Sequence, residues 1–178
     1  GQEVPPAGVS ALAGVNADFK LTSAASDAER RKAAANWMTN PANPLFSRVI
    51  VNRIWHHHFG QGLVKKPSDF GTGGGRPSNP ELLDWLAGWF QQNNYSLKSL
   101  HRLIVTSMTY RQSAVSRPDA LGRDRDNRLL WRFAPKRLEG EAVRDSLLQA
   151  AGMLNTQQSG PSYEDVKEIH FNAGRYYH

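Results

Sequence analysis

The chain has 178 residues, no cysteine and a formal charge of +6, a length that suits one domain able to bury about 70% of the surface its unfolded chain exposes. Without cysteine, disulfides, thiolate metal sites and a cysteine nucleophile are excluded, although the compartment is not fixed by that. No stretch approaches the ~18 apolar residues of a membrane span, and no charged-then-apolar leader opens the chain.

Residues 1–25, with Val4-Pro5-Pro6 and scattered Gly, Ala and Ser, read as an extended arm or linker. Ser26-Asp27-Ala28-Glu29 is a capping box, in which the serine hydroxyl and the Glu29 carboxylate each satisfy a free backbone amide, and it opens an alanine-rich helix to about Met38. Asn40-Pro41 ends that helix. Asn43 caps, and Pro44 fills the first turn of, a second helix running to about Phe59 and closed by Gly60. Asn79-Pro80 repeats this opening for a third helix to about Gln92. Ser96 caps a fourth to about Arg111. A polar stretch from Gln112 to Arg125 follows, then a short helical turn over 127–133 and a long helix from about Arg137 to Ala151, stopped by Gly152. Leu82, Leu83, Leu86, Trp89 and Phe90 keep the helical period, as do Leu97, Leu100, Ile104 and Met108, and Leu138, Ala142, Leu147 and Leu148 more loosely. The last 26 residues show no period but carry turn signals at Ser159-Gly160-Pro161 and Ala173-Gly174. The fold expected is all-α: about five helices in an irregular bundle with long loops. Its limits are 26–152, between the arm and an irregular tail over 153–178. Four of the five tryptophans are expected in the core.

His56, His57 and His58 invite a metal reading, but successive helical residues project about 100° apart, so the three cannot converge on one ion. No metal is expected. Asn52 shares a face with His56, four residues on, and is placed to orient its ring, while His101 is the natural distant partner. The loop over 61–76 holds Lys65, Lys66, Asp69, the run Gly73-Gly74-Gly75 and Arg76, with the freedom to wrap an anion, but it lacks the spacing of a phosphate loop. Arg137, Glu141, Arg144 and Asp145 fall at neighbour spacing on the last long helix and form a charge ladder. The candidates for acid–base chemistry are therefore His56, His101, Asp69 and Glu141. Those for ligand contact are Asn52, His57, Lys65, Lys66, Arg76, Arg137 and Arg144. The segment 98–137 holds ten Lys/Arg against three Asp, an anion-seeking surface unless local pairs such as those in Arg123-Asp124-Arg125-Asp126 neutralise it. No nucleophile elbow, zinc-protease, dinucleotide or haem-attachment motif is present.

The block 43–71, NPLFSRVIVNRIWHHHFGQGLVKKPSDFG, together with NPELLDWLAGWF at 79–90, SLKSLHRLIVTSMTYRQS at 96–113 and NRLLWRF with KRLEGEAVRDSLL at 127–148, resembles the planctomycete-type domain of unknown function 1553. The resemblance covers about 29–162. Matching motif residues include Asn52, Arg53, His57, His58, Gly60, Asp69, Phe70, Gly71, Arg111, Arg137, Glu139, Glu141, Arg144 and Asp145, none with an assigned role. The glycine run at 73–75 is richer than the family pattern. The resemblance implies a domain near the C-terminal end of long, exported bacterial polypeptides, beside another uncharacterised domain and often a cytochrome c-type domain. From it follow an extracytoplasmic location, a link to redox chemistry or polysaccharide use, and haem, if any, carried elsewhere in the parent protein. A chain that opens on Gly1 and stops at FNAGRYYH is expected to be a piece of that parent.

Three readings follow. The first is a non-catalytic module that packs on a neighbouring domain and contributes to a polysaccharide or anion site. The second is a hydrolase or redox-linked enzyme component using His56 or His101 with Asp69 or Glu141. The third is nucleic-acid binding through 98–137, against which the exported location argues.

Overall fold

The computed structural model describes residues 4–157, 159 and, as backbone, 168–171 and 174–177. The chain divides into two compact units, Gly1–Lys136 and Arg137–His178. In the first unit lie α1 (Asp27–Met38), α2 (Phe46–Phe59), α3 (Pro80–Gln92), α4 (Leu97–Thr106), α5 (Met108–Arg111) and α6 (Pro118–Arg123). The second holds α7 (Gly140–Ala150) and an antiparallel pair, β1 (Glu168–Phe171) and β2 (Gly174–Tyr177), in which Glu168 faces Tyr177 and Phe171 faces Gly174. The fold class is all-α. The strand pair escapes the sequence reading because four-residue strands are too short for a period of two to be legible. Of the turn signals read in the tail, Gly160, Pro161 and Ala173 lie outside the described residues.

Helix starts follow the capping chemistry. Ser26 Oγ accepts from the Glu29 amide while the Glu29 carboxylate accepts from the Ser26 amide at 2.8 Å. Asn79 accepts from the Leu82 amide and Ser96 from the Ser99 amide. Asn43 Oδ1 takes the amides of Leu45 and Phe46, so Pro44 sits in a turn just ahead of α2. Within the arm, Ala7 bridges Asp18, and Gly8 lies so close to Trp37 of α1 that a Cβ would fall 2.5 Å from the indole.

The core of the first unit is where α2, α3 and α4 meet. Val51, Trp55 and Phe59 of α2 pack with Leu83, Leu86 and Phe90 of α3, Leu100 and Ile104 of α4, and Leu63 and Val64 of the loop after α2. Arg48 Nε reaches Asp84 Oδ1 at 2.6 Å, tying α2 to α3, and this guanidinium holds the Asp84 carboxyl below its ordinary value.

Four expectations need correction. The fourth helix does not run through to Arg111: Ser107 is extended (ψ 150°) and its hydroxyl caps the Tyr110 amide, which starts α5 on a new axis and leaves Met108 90% exposed. The turn over 127–133 is not helical, whereas 118–123 is, because Pro118 suits the first helical position and Asp119 its first turn. The last long helix begins at Gly140, so Arg137 precedes it and the i, i+4 geometry towards Glu141 does not exist. Of the tryptophans only Trp55 is buried (5% exposed), Trp85 being 55% exposed and Trp37, Trp89 and Trp131 half-buried. A core filled by Leu, Ile, Val and Phe from three helices leaves the larger indoles at its rim.

Candidate functional site

The site begins at the C-terminal end of α2. Gly60 adopts a left-handed conformation (φ 77°) that ends the helix. The returning chain is then pinned by Asn52, fully buried, whose Nδ2 donates to Val64 O at 3.0 Å and whose Oδ1 accepts from Val64 N at 2.9 Å. Asn52 thus satisfies both backbone groups of a buried residue that no helix or sheet provides for. Gly62 lies beneath this clamp, where a Cβ would meet Val64 O at 2.5 Å. The far end of the loop is drawn back by Ser78 N donating to Leu63 O at 2.8 Å. Between these points the loop braces itself: Lys66 Nζ donates to Gly73 O, the Asp69 carboxylate accepts from Gly71 N, and Gly74 N donates to Gly71 O. At Gly74 a Cβ would lie 1.8 Å from Asp69 O, so only glycine fits.

A second wall comes from 123–133. Asp124 accepts the amides of Arg128 (3.0 Å) and Leu129 (2.7 Å), and its carbonyl accepts from Trp131 Nε1. Asn127 Nδ2 donates to Arg132 O, and Gln112 Nε2 donates to Leu130 O. Asn127 and Leu130 both have positive φ, 53° and 55°. Asparagine tolerates this, whereas for leucine it is strained backbone, held here by surrounding contacts. The Arg/Asp ion pairs expected in this segment are not found among the described residues, since Asp124 is engaged with backbone amides. Arg132 and Arg117 instead stack on Trp131, 4.9 and 5.8 Å from the ring centroid.

Between the two walls is a cavity of about 640 Å³. Trp55, Leu63 and Leu130 give it apolar lining, and Gln61, Ser78 and Asn127 supply hydrogen-bonding groups. Its charged lining is Lys65, Arg76 and Arg128 against Asp126. The side chains of those three cations make no ion pair or hydrogen bond among the described residues. The cavity is therefore net positive, with cationic groups free to meet a ligand.

The histidines form a separate feature of the same unit. His58 Nε2 and His101 Nδ1 face each other at 2.8 Å, with ring centroids 5.0 Å apart. The centroid separation exceeds the nitrogen separation by nearly the full reach of two rings, so the nitrogens point at one another, as in a shared hydrogen bond, instead of converging on a third point. Burial first, then the neighbouring His101, Lys136 and His57, hold the His58 imidazole below its ordinary value of 6.5. Lys136 Nζ donates to His57 O. Among the described residues no group of three or more His, Cys, Asp or Glu could hold a metal ion, and no helix is long and apolar enough to cross a membrane.

Residues 30–175 match the family described as PSD1, protein of unknown function (DUF1553). The chain belongs to this family. No curated protein and no solved structure matches it.

Of the residues singled out from the DUF1553 sequence, Lys65 and Arg76 line the cavity, while Lys66 and Asp69 brace the loop that forms its wall. Asn52 does not orient His56, because both ends of its amide are held by Val64. His56 Nδ1 is buried without a hydrogen-bond partner among the described residues. His101 pairs with His58, not His56, and His57 is exposed, its carbonyl taken by Lys136. Glu141, Arg137 and Arg144 belong to the second unit, where Arg144 lies 3.7 Å from Asp145. Sequence reasoning missed Arg128, Asn127 and Leu130 as lining residues and His58 as the paired imidazole. The buried stripe Val51, Trp55, Phe59 places His58 at its edge, and that was the legible signal for it.

Proposed function

We propose that this DUF1553 chain is a non-catalytic binding module whose cavity takes an anionic saccharide, and that it works packed against a neighbouring domain of an exported multidomain bacterial protein. The observation that carries this reading is the lining itself: three cationic side chains, without an ion pair or side-chain hydrogen bond among the described residues, beside the apolar groups of Trp55, Leu63 and Leu130. A cavity of about 640 Å³ lies in the range of small-molecule sites and exceeds what an inorganic anion needs. Apolar lining from Trp55 and the amide and hydroxyl groups of Gln61, Ser78 and Asn127 suit the faces and hydroxyls of a sugar, while Lys65, Arg76 and Arg128 suit its carboxylates or sulfates. The left-handed Leu130 adds weight, because backbone strain of this kind gathers at binding sites. Acid–base catalysis has less support: Asp69 is engaged by its own loop. A nucleic-acid surface over 98–137 has less as well, since Arg117, Arg132 and Lys136 are already engaged by Trp131 and the His57 carbonyl.

The test is calorimetric titration with uronate, sulfated and neutral oligosaccharides at low and moderate salt. The charged ligands should bind and the neutral ones should not. Arg76→Ala and Arg128→Ala should each weaken binding about ten- to a hundredfold, since a hydrogen bond to a charged group is worth ~1.5–3 kcal/mol. Equal binding of neutral and charged ligands, or indifference to both substitutions, contradicts the proposal.

A further inference from the structure

We infer that the His58–His101 pair is a proton-operated latch that keeps the Arg128 wall of the cavity in place at neutral pH and releases it in acid. Its consequence for ligand affinity rests on the anion-site reading above, whereas the latch itself does not.

With the two ring nitrogens 2.8 Å apart, one must donate and the other accept. A second proton sets N–H against N–H, breaks the bond and brings two cations into contact. The charged groups acting on His58 are His101 from α4, Lys136 from the segment after α6 and His57 from α2 itself, and none is a carboxylate. Tyr110 of α5 meets the ring edge-on at 5.6 Å. Nothing among these neighbours stabilises a doubly protonated pair, so protonation is relieved by separation.

The pair is joined to the cavity wall by continuous contact. Tyr110 packs on Phe133 at 5.1 Å, and Phe59 touches both, at 5.8 and 6.2 Å. Phe133 N donates to Ser113 O, and Leu130 O accepts from Gln112 Nε2. The clip from Lys136 to the His57 carbonyl lies beside the pair. The segment bearing Arg128 and Leu130 is thus tied to α2 at an aromatic cluster that includes His58 and at a lysine that a protonated His58 repels.

The direction of the effect separates this mechanism from simple charge. Extra protons near a cationic cavity should tighten anion binding, whereas a released wall should weaken it. The experiment follows backbone hydrogen exchange of the whole chain, histidine imidazole spectra and trigalacturonate affinity between about pH 7.5 and 5.5, the span in which histidine titrates. At neutral pH the spectra should show one proton shared between His58 Nε2 and His101 Nδ1. In acid both nitrogens should be protonated, with protection over 126–133 falling tenfold or more after correction for intrinsic rates, and with the α2–α3 core unchanged. His101→Gln, at an exposed position, keeps an acceptor for His58 but cannot take a proton, so the bond survives protonation of His58 and the loss of protection over 126–133 in acid should be several-fold smaller than in the wild type. Trigalacturonate affinity should fall in acid for the wild type and not for His101→Gln. Unchanged protection over 126–133 in the wild type, equal loss in His101→Gln, or affinity that rises in acid overturns the latch. If trigalacturonate binds at neither pH the anion-site reading fails, and the exchange and imidazole measurements still decide the latch.

Discussion

Helices α2 and α7 both carry apolar side chains at helical spacing, yet α2 buries Val51, Trp55 and Phe59 whereas α7 buries nothing and leaves Leu147 67% exposed. The difference teaches that periodicity identifies a face without saying what covers it. On α2 the cover is α3, α4 and the clamped loop. On α7 nothing among the described residues buries the apolar face, which under the function proposed above would suit a neighbouring domain.

The strongest way to break this comparison is truncation on both helices. Phe59→Ala should cost ~3–5 kcal/mol, as aromatic deletions from packed cores do. Leu147→Ala should stay within about 0.5 kcal/mol, as exposed substitutions do. Denaturant unfolding checks both, and similar losses would show that α7 has a cover within this chain. Next in size, Asn52→Ala leaves the buried Val64 amide and carbonyl unsatisfied and should cost about 2 kcal/mol or more in the same assay. Gly74→Ala forces the loop away from Asp69 and should cost about 1–3 kcal/mol, as overpacking does. It should also lower anion affinity, which Leu147→Ala should not.

The smallest effect concerns pH. Asp84 has its carboxyl depressed by Arg48, so its contribution is complete above the ordinary value of 3.8 and lost as pH falls through the folded-state value. The pair is exposed, so Asp84→Asn should remove only ~0.2–1 kcal/mol. His58 is likewise depressed. Its stabilisation is present above 6.5 and is lost as pH falls through the lower folded-state value. Across the two windows, the pH dependence of thermal melts should therefore change with His101→Gln only in the upper one and with Asp84→Asn only in the lower, where the loss that Asp84→Asn causes at neutral pH should disappear.

Much of the fold could be read before the structure, because local chemistry sets helix starts. Ser26, Asn79 and Ser96 each cap the helix their spacing announces. Ser107 is equally a capping residue, but it sits inside an unbroken apolar period, so the end of α4 was hidden by a pattern that continued across it. The cavity was half legible. Lys65 and Arg76 stand in a glycine-rich loop that draws attention, while Arg128 and Leu130 depend on Asp124 and Asn127 turning the backbone over. Those two residues are turn formers and were available as a signal. The pairing of His58 with His101 spans 43 residues and depends on how α2 crosses α4, which no local rule supplies.

The central claim is that the cavity beneath the glycine-rich loop is an anion site, and amide chemical-shift mapping with trigalacturonate tests it most directly. The account predicts the largest changes over 61–65, 74–78 and 126–130, weakened by salt and absent in an Arg76→Ala, Arg128→Ala double variant. Changes centred on 98–111 or on α7, or a spectrum that the ligand leaves unaltered, would contradict it.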